Sequence, residues 1–314
     1  MSKHIALVTD DPGWHGRELH DAFSRRGYKC TNVSLTDCYI HVGCHEDARI
    51  STSKNLNSLY IPGFEGALPD GVFVRGVQGG TLEEVVFYLD VLHALHELNI
   101  LVYNSARAIE RSVDKGMTSF LLDQAGIHTP PTWVGNDVHQ AYSFIRRELA
   151  MGNKVVAKPL FGSQGKDLQL ITKPEDITNF KVYNKIYYLQ RFIQTGNESA
   201  FDWRVFVIGD EVIACMKREG MDWISNVANG GKCYSAIIND QFAAISKKAV
   251  RAVDMHYAGV DVMQDLNGKL WVTEVNSIPA WKGLESVNSL VVADKLAEDF
   301  IKCMQVKNTS TVAS

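Results

Sequence analysis

Short apolar runs alternate with amphipathic stretches through the first third of the chain. Residues 4–9 (HIALVT) read as a β-strand, and the loop after it carries Gly13 and Gly16. A short helix over 17–26 follows, stopped by Gly27. Further strands are expected at 28–35 and at 72–75 (VFVR). Leu82, Val85, Val86, Leu89 and Leu92 form a helical stripe within 81–98. A strand follows at 100–103, with Asn104 or Ser105 capping a helix that runs to residue 125. This alternation predicts a small parallel sheet up to residue 105.

From residue 132 the texture changes to adjacent strands. Hairpins are expected at IGDE (208–211) and LNGK (266–269), and the loop FGSQGKD (161–167) joins two strands. Helices near 137–151, 240–256 and 287–304 are interleaved, an α+β texture with antiparallel pairing. The last ten residues are polar and expected to fray. Internal repeats and low-complexity stretches are not seen.

A chain of 314 residues is a prior of about two domains. With 46% hydrophobic and 22% charged residues it has the composition of a folded protein. The net charge of −4 argues against binding nucleic acid or anionic lipid through bulk positive charge. No apolar run approaches the roughly 18 residues of a membrane span. The opening MSKHIALVTD reads as a strand rather than a signal peptide. Cysteines at 30, 38, 44, 215, 233 and 303 form no C-x-x-C pair, so reduced thiols and a cytoplasmic location are expected. Cys38, His41, Cys44 and His45 have a spacing that zinc could use. A structural site draws paired ligands from two segments, however, and without a second pair the favoured reading is a strand end and a loop.

Chemistry concentrates at 259–277, GVDVMQDLNGKLWVTEVNS. Asn267-Gly268 signals a two-residue type I′ turn, in which Leu266 pairs with Lys269. That register sets Asp261 opposite Glu274, with Asn276 on the same face. Carboxylates about 5 Å apart repel unless a cation sits between them. Asp, Glu and Asn are hard oxygen donors suited to Mg²⁺ or Mn²⁺, and the lack of His or Cys argues against zinc. The flanking Val260, Val262, Val272 and Val275 favour a central strand pair and a metal site over a solvated face. In the second hairpin, a turn at Gly209-Asp210 sets Asp202 opposite Lys217, with Arg204 on their face. This is either a surface ion network or an anion pocket with Arg204 as its bidentate element.

Strand VVAKP ends in Lys158, and an apolar strand holds a lysine cheaply only if its ammonium reaches an anion. Gly162 and Gly165 in the next loop allow backbone N–H groups close to phosphate oxygens. The loop matches neither the P-loop nor G-x-G-x-x-G, and alone is equally a hairpin. Lys115 in SVDKGMTS is a second candidate phosphate lysine or a solvated helix residue. YYLQRFI (187–193) by itself reads as a core strand.

Taken together, VDKGMTSFLLDQAGIHTPPT, VVAKPLFGSQGKD, YYLQRFI, DWRVFVIGDEVIA, SNVANGG and AGVDV…VTEVNSIPAWKGLE resemble the RimK-like carboxylate–amine ligases of the ATP-grasp superfamily. The resemblance implies an α/β and α+β ATP-grasp fold. Its parts would be a Rossmann-like domain (1–105), a lid domain (106–193), a C-terminal ATP and metal domain (194–304) and a disordered tail (305–314). Lys115 and Lys158 would contact ATP phosphates, with the loop Gly162, Ser163, Gln164 and Gly165 as lid. Gln190, Arg191, Phe192 and Ile193 would line the adenine pocket. Asp261, Glu274 and Asn276 would hold two Mg²⁺ ions, with Mn²⁺ as a substitute. Arg204 and Arg218 would be catalytic, Arg204 reaching the transferred phosphate or the acyl-phosphate. Arg75, Lys217 and Asn226 would serve substrates, and Arg75 and Arg218 would meet a substrate carboxylate. Arg191 stands where many relatives have Glu, and Lys166-Asp167 replace small or apolar residues.

The implied reaction makes an acyl-phosphate from ATP and a carboxylate, and an amine, commonly that of L-glutamate, then displaces phosphate. Family acceptors include a peptide C-terminus, a carrier protein and the glutamyl tail of a C1-carrier cofactor. The stretch VRGVQGGTLEEVVFYLDVLHALHELNILVYNS looks most like the branch acting on tetrahydromethanopterin-type pterins. The resemblance implies small-molecule partners, no nucleic acid and no membrane, and leaves a homo-oligomer open. A nucleotide-binding regulator without turnover is the alternative, against which the intact metal trio and both lysines argue. A dehydrogenase built on Gly13 and Gly16 has too sparse a glycine pattern.

Overall fold

The computed structural model describes residues 3–43, 58–162, 167–178, 180–182, 184–196, 200–220, 223 and 231–312. Its contacts divide the chain into two units, one of 1–109, 280–285 and 290–314, the other of 110–279 and 286–289.

The first unit begins with β1 (His4–Val8), α1 (Gly13–Arg25) and β2 (Lys29–Val33). The short β3 (Tyr39–Ile40) and β4 (Leu59–Tyr60) pair with each other. They are followed by β5 (Gly71–Val74), α2 (Leu82–Glu97) and β6 (Leu101–Tyr103). The sheet order is β2-β1-β5-β6, parallel throughout, as the alternation predicts. Phe23, Phe73, Tyr103 and Phe300 make an aromatic cluster at its centre. Gly71 lies against it because a Cβ there would stand 2.8 Å from Phe300.

The helical stripe is corrected. On α2 the buried residues are Tyr88, Val91, Leu92 and Leu95, while Leu82 and Val86 are exposed. Leu82 is the first helical residue, inside the Thr81–Glu84 capping box, and is 76% exposed. The C-terminus is corrected too. The last helix runs Val292–Val312, through the expected tail, and belongs to the first unit. Leu296, Ala297, Phe300 and Met304 are buried there, and Lys307 donates to the Ile100 carbonyl.

Between residues 106 and 125 the expected single helix is two, α3 (Ala106–Val113) and α4 (Lys115–Gln124). Ser105 caps the first through Ala108 N–H. Asp114 breaks the run because its carboxylate caps α4, accepting from Met117 N–H.

The second unit holds two antiparallel sheets. The first contains β7 (Thr132–Gly135), β8 (Val155–Lys158), β9 (Gln169–Ile171) and β10 (Tyr187–Arg191), in the order β7-β10-β8-β9. Helix α5 (Val138–Ala150) buries Ala141, Phe144 and Ile145 against Val155, Ala157 and Leu189. The second sheet has the order β13-β12-β11-β14-β15. Its strands are β11 (Phe201–Ile208), β12 (Glu211–Glu219), β13 (Lys232–Ser235), β14 (Tyr257–Gln264) and β15 (Leu270–Asn276). Helix α6 (Asp240–Ala252) packs on it, with Phe242 against Trp203. A short α7 (Lys282–Glu285) and then α8 (Val292–Val312) complete the chain in the first unit.

Both hairpins depart from the predicted local register. At 264–270 the loop has three residues rather than two, since Asp265 N–H donates to Lys269 O and Gly268 N–H to Asp265 O. The Asp265 carboxylate shapes it, accepting from the N–H groups of Asn267 and Lys269, while Gly268 takes φ +82°. A bulge between the pairs Asp261–Glu274 and Val262–Val272 then leaves Thr273 extra. The two departures cancel, and Asp261 lies opposite Glu274 as expected. In β11–β12 a single bulge at Ile213 is not compensated, so Asp202 faces Arg218 and not Lys217. Lys217 pairs with Trp203 and turns to the other face, its Nζ 4.1 Å from the centre of the Phe201 ring.

Among the described residues no disulfide links the cysteines. Cys38 is buried with its thiol donating to Ser34 O, while Cys44 and His45 lie outside the described residues. No described helix is long and apolar enough to cross a membrane.

Candidate active site

Asp202, Arg204, Arg218, Asp261, Glu274 and Asn276 share one face of the second sheet, because directly paired residues of an antiparallel sheet point the same way. Asp261 is 4% exposed on the central strand β14. Both its oxygens accept from Arg204, through Nε and, at 2.9 Å, through Nη2. Arg218 Nη2 lies 2.9 Å from the same carboxylate, while its Nε and Nη2 hold Asp202 at 2.6 and 2.7 Å. Burial works against charge on Asp261, but Arg204 and Arg218 outweigh it and hold the carboxyl below its usual range. Burial likewise opposes charge on Arg218, and Asp261 and Asp202 overcome it.

The repulsion that called for a cation between Asp261 and Glu274 is therefore met by two guanidinium groups. Glu274 is half-buried and, among the described residues, its carboxylate takes no hydrogen bond and no ion pair. Asn276 ties its Nδ2 to Gly259 O at 3.3 Å, which leaves its side-chain oxygen for a ligand. Gly259 also gives Arg204 room to cross the sheet, since a Cβ there would stand 2.8 Å from Arg204 Cδ and 2.9 Å from Pro279 Cβ. The donor set fits a hard divalent ion. Glu274 offers a whole carboxylate, Asn276 an amide oxygen and Asp261 the lone pairs its arginines leave. The described residues gather no set of three His, Cys, Asp or Glu, consistent with two carboxylates and an amide.

Lys158 ends β8 and donates to Gln190 Oε1 at 2.7 Å. Gln190 is buried, and its Nε2 reaches Thr132 Oγ1 at 3.0 Å and the Tyr188 hydroxyl at 3.1 Å. Burial pushes the Lys158 ammonium down to about 8 against the attraction of Glu274, and nearby Lys115 adds to the fall. Lys115 stands in the first turn of α4, where the helix dipole disfavours a cation. Its Nζ donates to Gly162 O at 2.6 Å and Leu160 O at 3.4 Å, fixing the start of the glycine loop. Burial lowers Lys115 too, with Glu274 opposing.

Several predicted residues stand apart from this cluster. Arg191 points to the α5 face and pairs with Glu148 at 2.7 and 3.2 Å, so its side chain belongs to a buried ion pair. The N–H groups of Arg191 and Phe192 go to Pro131 O and Lys154 O. Phe192 lies edge-on to Trp223, and Ile193 is buried. Arg75 lies in the first unit over the Trp281 ring. Ser163, Gln164, Gly165, Lys166 and Asn226 fall outside the described residues. Reading the sequence missed the Asp202–Arg218 pair, because no residue in the hairpin signals the bulge that sets it. It also missed Glu148, an acidic residue on the core face of an amphipathic helix.

Residues 112–300, more than half of the chain, match the RimK-like ATP-grasp domain. A Methanocaldococcus jannaschii protein named tetrahydromethanopterin:alpha-L-glutamate ligase is 35% identical over 224 residues, 69% of this chain and 75% of its own. A Trichodesmium erythraeum protein named probable alpha-L-glutamate ligase is 28% identical over 301 residues, 94% of each chain. The ATP-grasp ligase PsnB, solved with minimal precursor, Mg and ADP, shares the fold at a TM-score of 0.71. It is 20% identical, with 96% of this chain and 98% of that one covered. A RimK domain ATP-grasp protein from Sphaerobacter thermophilus does so at 0.66 and 17% identity, over 95% and 99%. With the family's domain matched over more than half of its length, the chain belongs to the RimK-like ATP-grasp family of ligases.

Proposed function

We propose that this ATP-grasp ligase activates an acceptor carboxylate with ATP and joins it to the amine of L-glutamate, the acceptor being a pterin-type C1-carrier cofactor. The carrying observation is Glu274, a carboxylate without a protein partner among the described residues, beside Asn276 and the half-buried Lys115 and Lys158. The names of the Methanocaldococcus and Trichodesmium relatives support the glutamate donor, and the first of them the pterin.

In this reading Lys158 and Lys115 bind the triphosphate, exchanging the protein carbonyls they now hold for phosphate oxygens. Glu274, Asn276 and Asp261 hold two Mg²⁺ ions, which Mn²⁺ can replace. Bound there, the metal offsets repulsion between the attacking carboxylate and the triphosphate. Arg204 follows charge onto the transferred phosphoryl group, and Arg218 keeps Asp261 ionised. A neutral amine then displaces phosphate, and the loop that Lys115 anchors excludes water from the acyl-phosphate.

The test is phosphate release with ATP, Mg²⁺, L-glutamate and a panel of pterin, peptide and carrier acceptors, with products weighed by mass spectrometry. One added glutamyl unit on a pterin is the expected result. No glutamyl product on any acceptor, or full activity in Glu274→Gln, refutes the reading.

A further inference from the structure

We infer that Asp202 is a positioning residue of the metal site, pinning Arg218 so that Asp261 keeps one oxygen for the ion. The inference rests on the proposed metal role of Asp261, Glu274 and Asn276, and names the residue that makes Asp261 available for it.

The sheet order sets β12 and β14 on either side of β11, so their facing residues stand about 10 Å apart, two strand spacings. Arg218 on β12 therefore reaches Asp261 on β14 only by crossing β11. It crosses at Asp202, its direct partner on that strand. Arg204, two residues further along β11, is the direct partner of Asp261. Asp202, Arg218 and Asp261 are all buried, so these charges depend on one another rather than on water.

The bonds divide unequally. Asp202 accepts from Arg218 Nε at 2.6 Å and from Nη2 at 2.7 Å, and so takes one whole edge of the guanidinium. What remains for Asp261 is a single contact, Arg218 Nη2 to Oδ2 at 2.9 Å. Arg204 Nη2 shares that oxygen at 2.9 Å. Asp261 Oδ1 is held by Arg204 Nε alone among the described residues. Arg204 has Asp261 as its one hydrogen-bond partner among the described residues, so freeing Oδ1 needs one side chain to move while Arg218 stays. Without Asp202 the fork of Arg218 can turn onto Asp261 and close both oxygens, the two-point pairing that guanidinium and carboxylate favour. The charges of Asp202, Arg204, Arg218 and Asp261 cancel, which leaves Glu274 as the surplus negative charge of the cluster.

The probe is Mn²⁺, titrated into the full chain with ADP and followed by EPR. Broadening beyond that of Mn²⁺ with ADP alone reports the protein-bound ion. Asp202→Asn, whose amide no longer accepts twice from Arg218, is expected to weaken Mn²⁺ binding about tenfold, the scale of a hydrogen bond to a charged group. Asp202→Asn with Arg218→Lys carries the same charge as that single variant, but lysine lacks the fork and is one atom shorter, so affinity is expected to return to that of the parent. Loss of charge alone would leave this double variant as weak as the single, and a merely structural role would lower thermal stability without moving the affinity. Asp202→Met with Arg218→Met replaces the buried pair by apolar side chains, serves if Asp202→Asn does not fold, and is expected to keep the parent affinity. Three results overturn the inference and leave the ligase reading intact: unchanged affinity in Asp202→Asn, no recovery with Arg218→Lys, or a loss in the methionine pair, which would make Asp202 itself a ligand. Protein-bound Mn²⁺ absent from the parent, or fully kept in Glu274→Gln, overturns the metal reading beneath it.

Discussion

Replacing Arg191 by Met tests whether that position serves ATP or the lid. Glu148 is 1% exposed and accepts from Arg191 Nε at 2.7 Å, Arg191 Nη2 at 3.2 Å and Asn153 Nδ2 at 3.0 Å. Arg191→Met leaves a buried carboxylate with one amide for company, a loss that costs about 3–5 kcal/mol in comparable pairs. Arg191 is itself 26% exposed, which favours the lower end, about 3 kcal/mol or roughly a hundredfold in the local opening equilibrium. Native-state hydrogen exchange of β10 and α5 amides reads this directly. Glu148→Met with Arg191→Met removes both charges and is expected to return within about 1 kcal/mol of the parent. It should also bind ATP as the parent does, because Arg191 on β10 and Lys158 on the neighbouring β8 lie on opposite faces of their sheet. Unchanged exchange in Arg191→Met would refute the energetic argument. A stable double variant that had lost ATP affinity would refute the placement, returning Arg191 to the adenine pocket.

Lys158 sets a pH limit. It is protonated below about 8 and neutral above, so ATP affinity of the free enzyme should hold below that pH and fall above it by calorimetry. The unfolded chain keeps this proton to higher pH, so folding stability contributed by Lys158 should rise from pH 8 toward its ordinary value of 10.5. Lys158→Arg should remove the fall in affinity. Gly259→Ala should displace Arg204, with phosphate release down by up to about a hundredfold, the scale of an ångström's misplacement. Gly71→Ala should lower the first unit's stability by about 1–3 kcal/mol in thermal unfolding, because the new methyl meets Phe300 and Met304.

The sequence by itself determined the strand-and-helix order, the parallel sheet of the first unit, the family, and the pairing of Asp261 with Glu274. These rest on period, turn residues and motif spacing, which are local and survive small shifts. Tertiary structure decided the rest. A bulge at Ile213 sent Lys217 to the other face and brought Arg218 to Asp202, and no residue type in β12 announces a bulge. Arg191 sits in a motif read as nucleotide-binding, but the partner that claims its side chain is 43 residues away on α5. His15 and Trp281 meet across 266 residues. Faces and partners of this kind are set by which elements pack together, and a one-residue change of register inverts them.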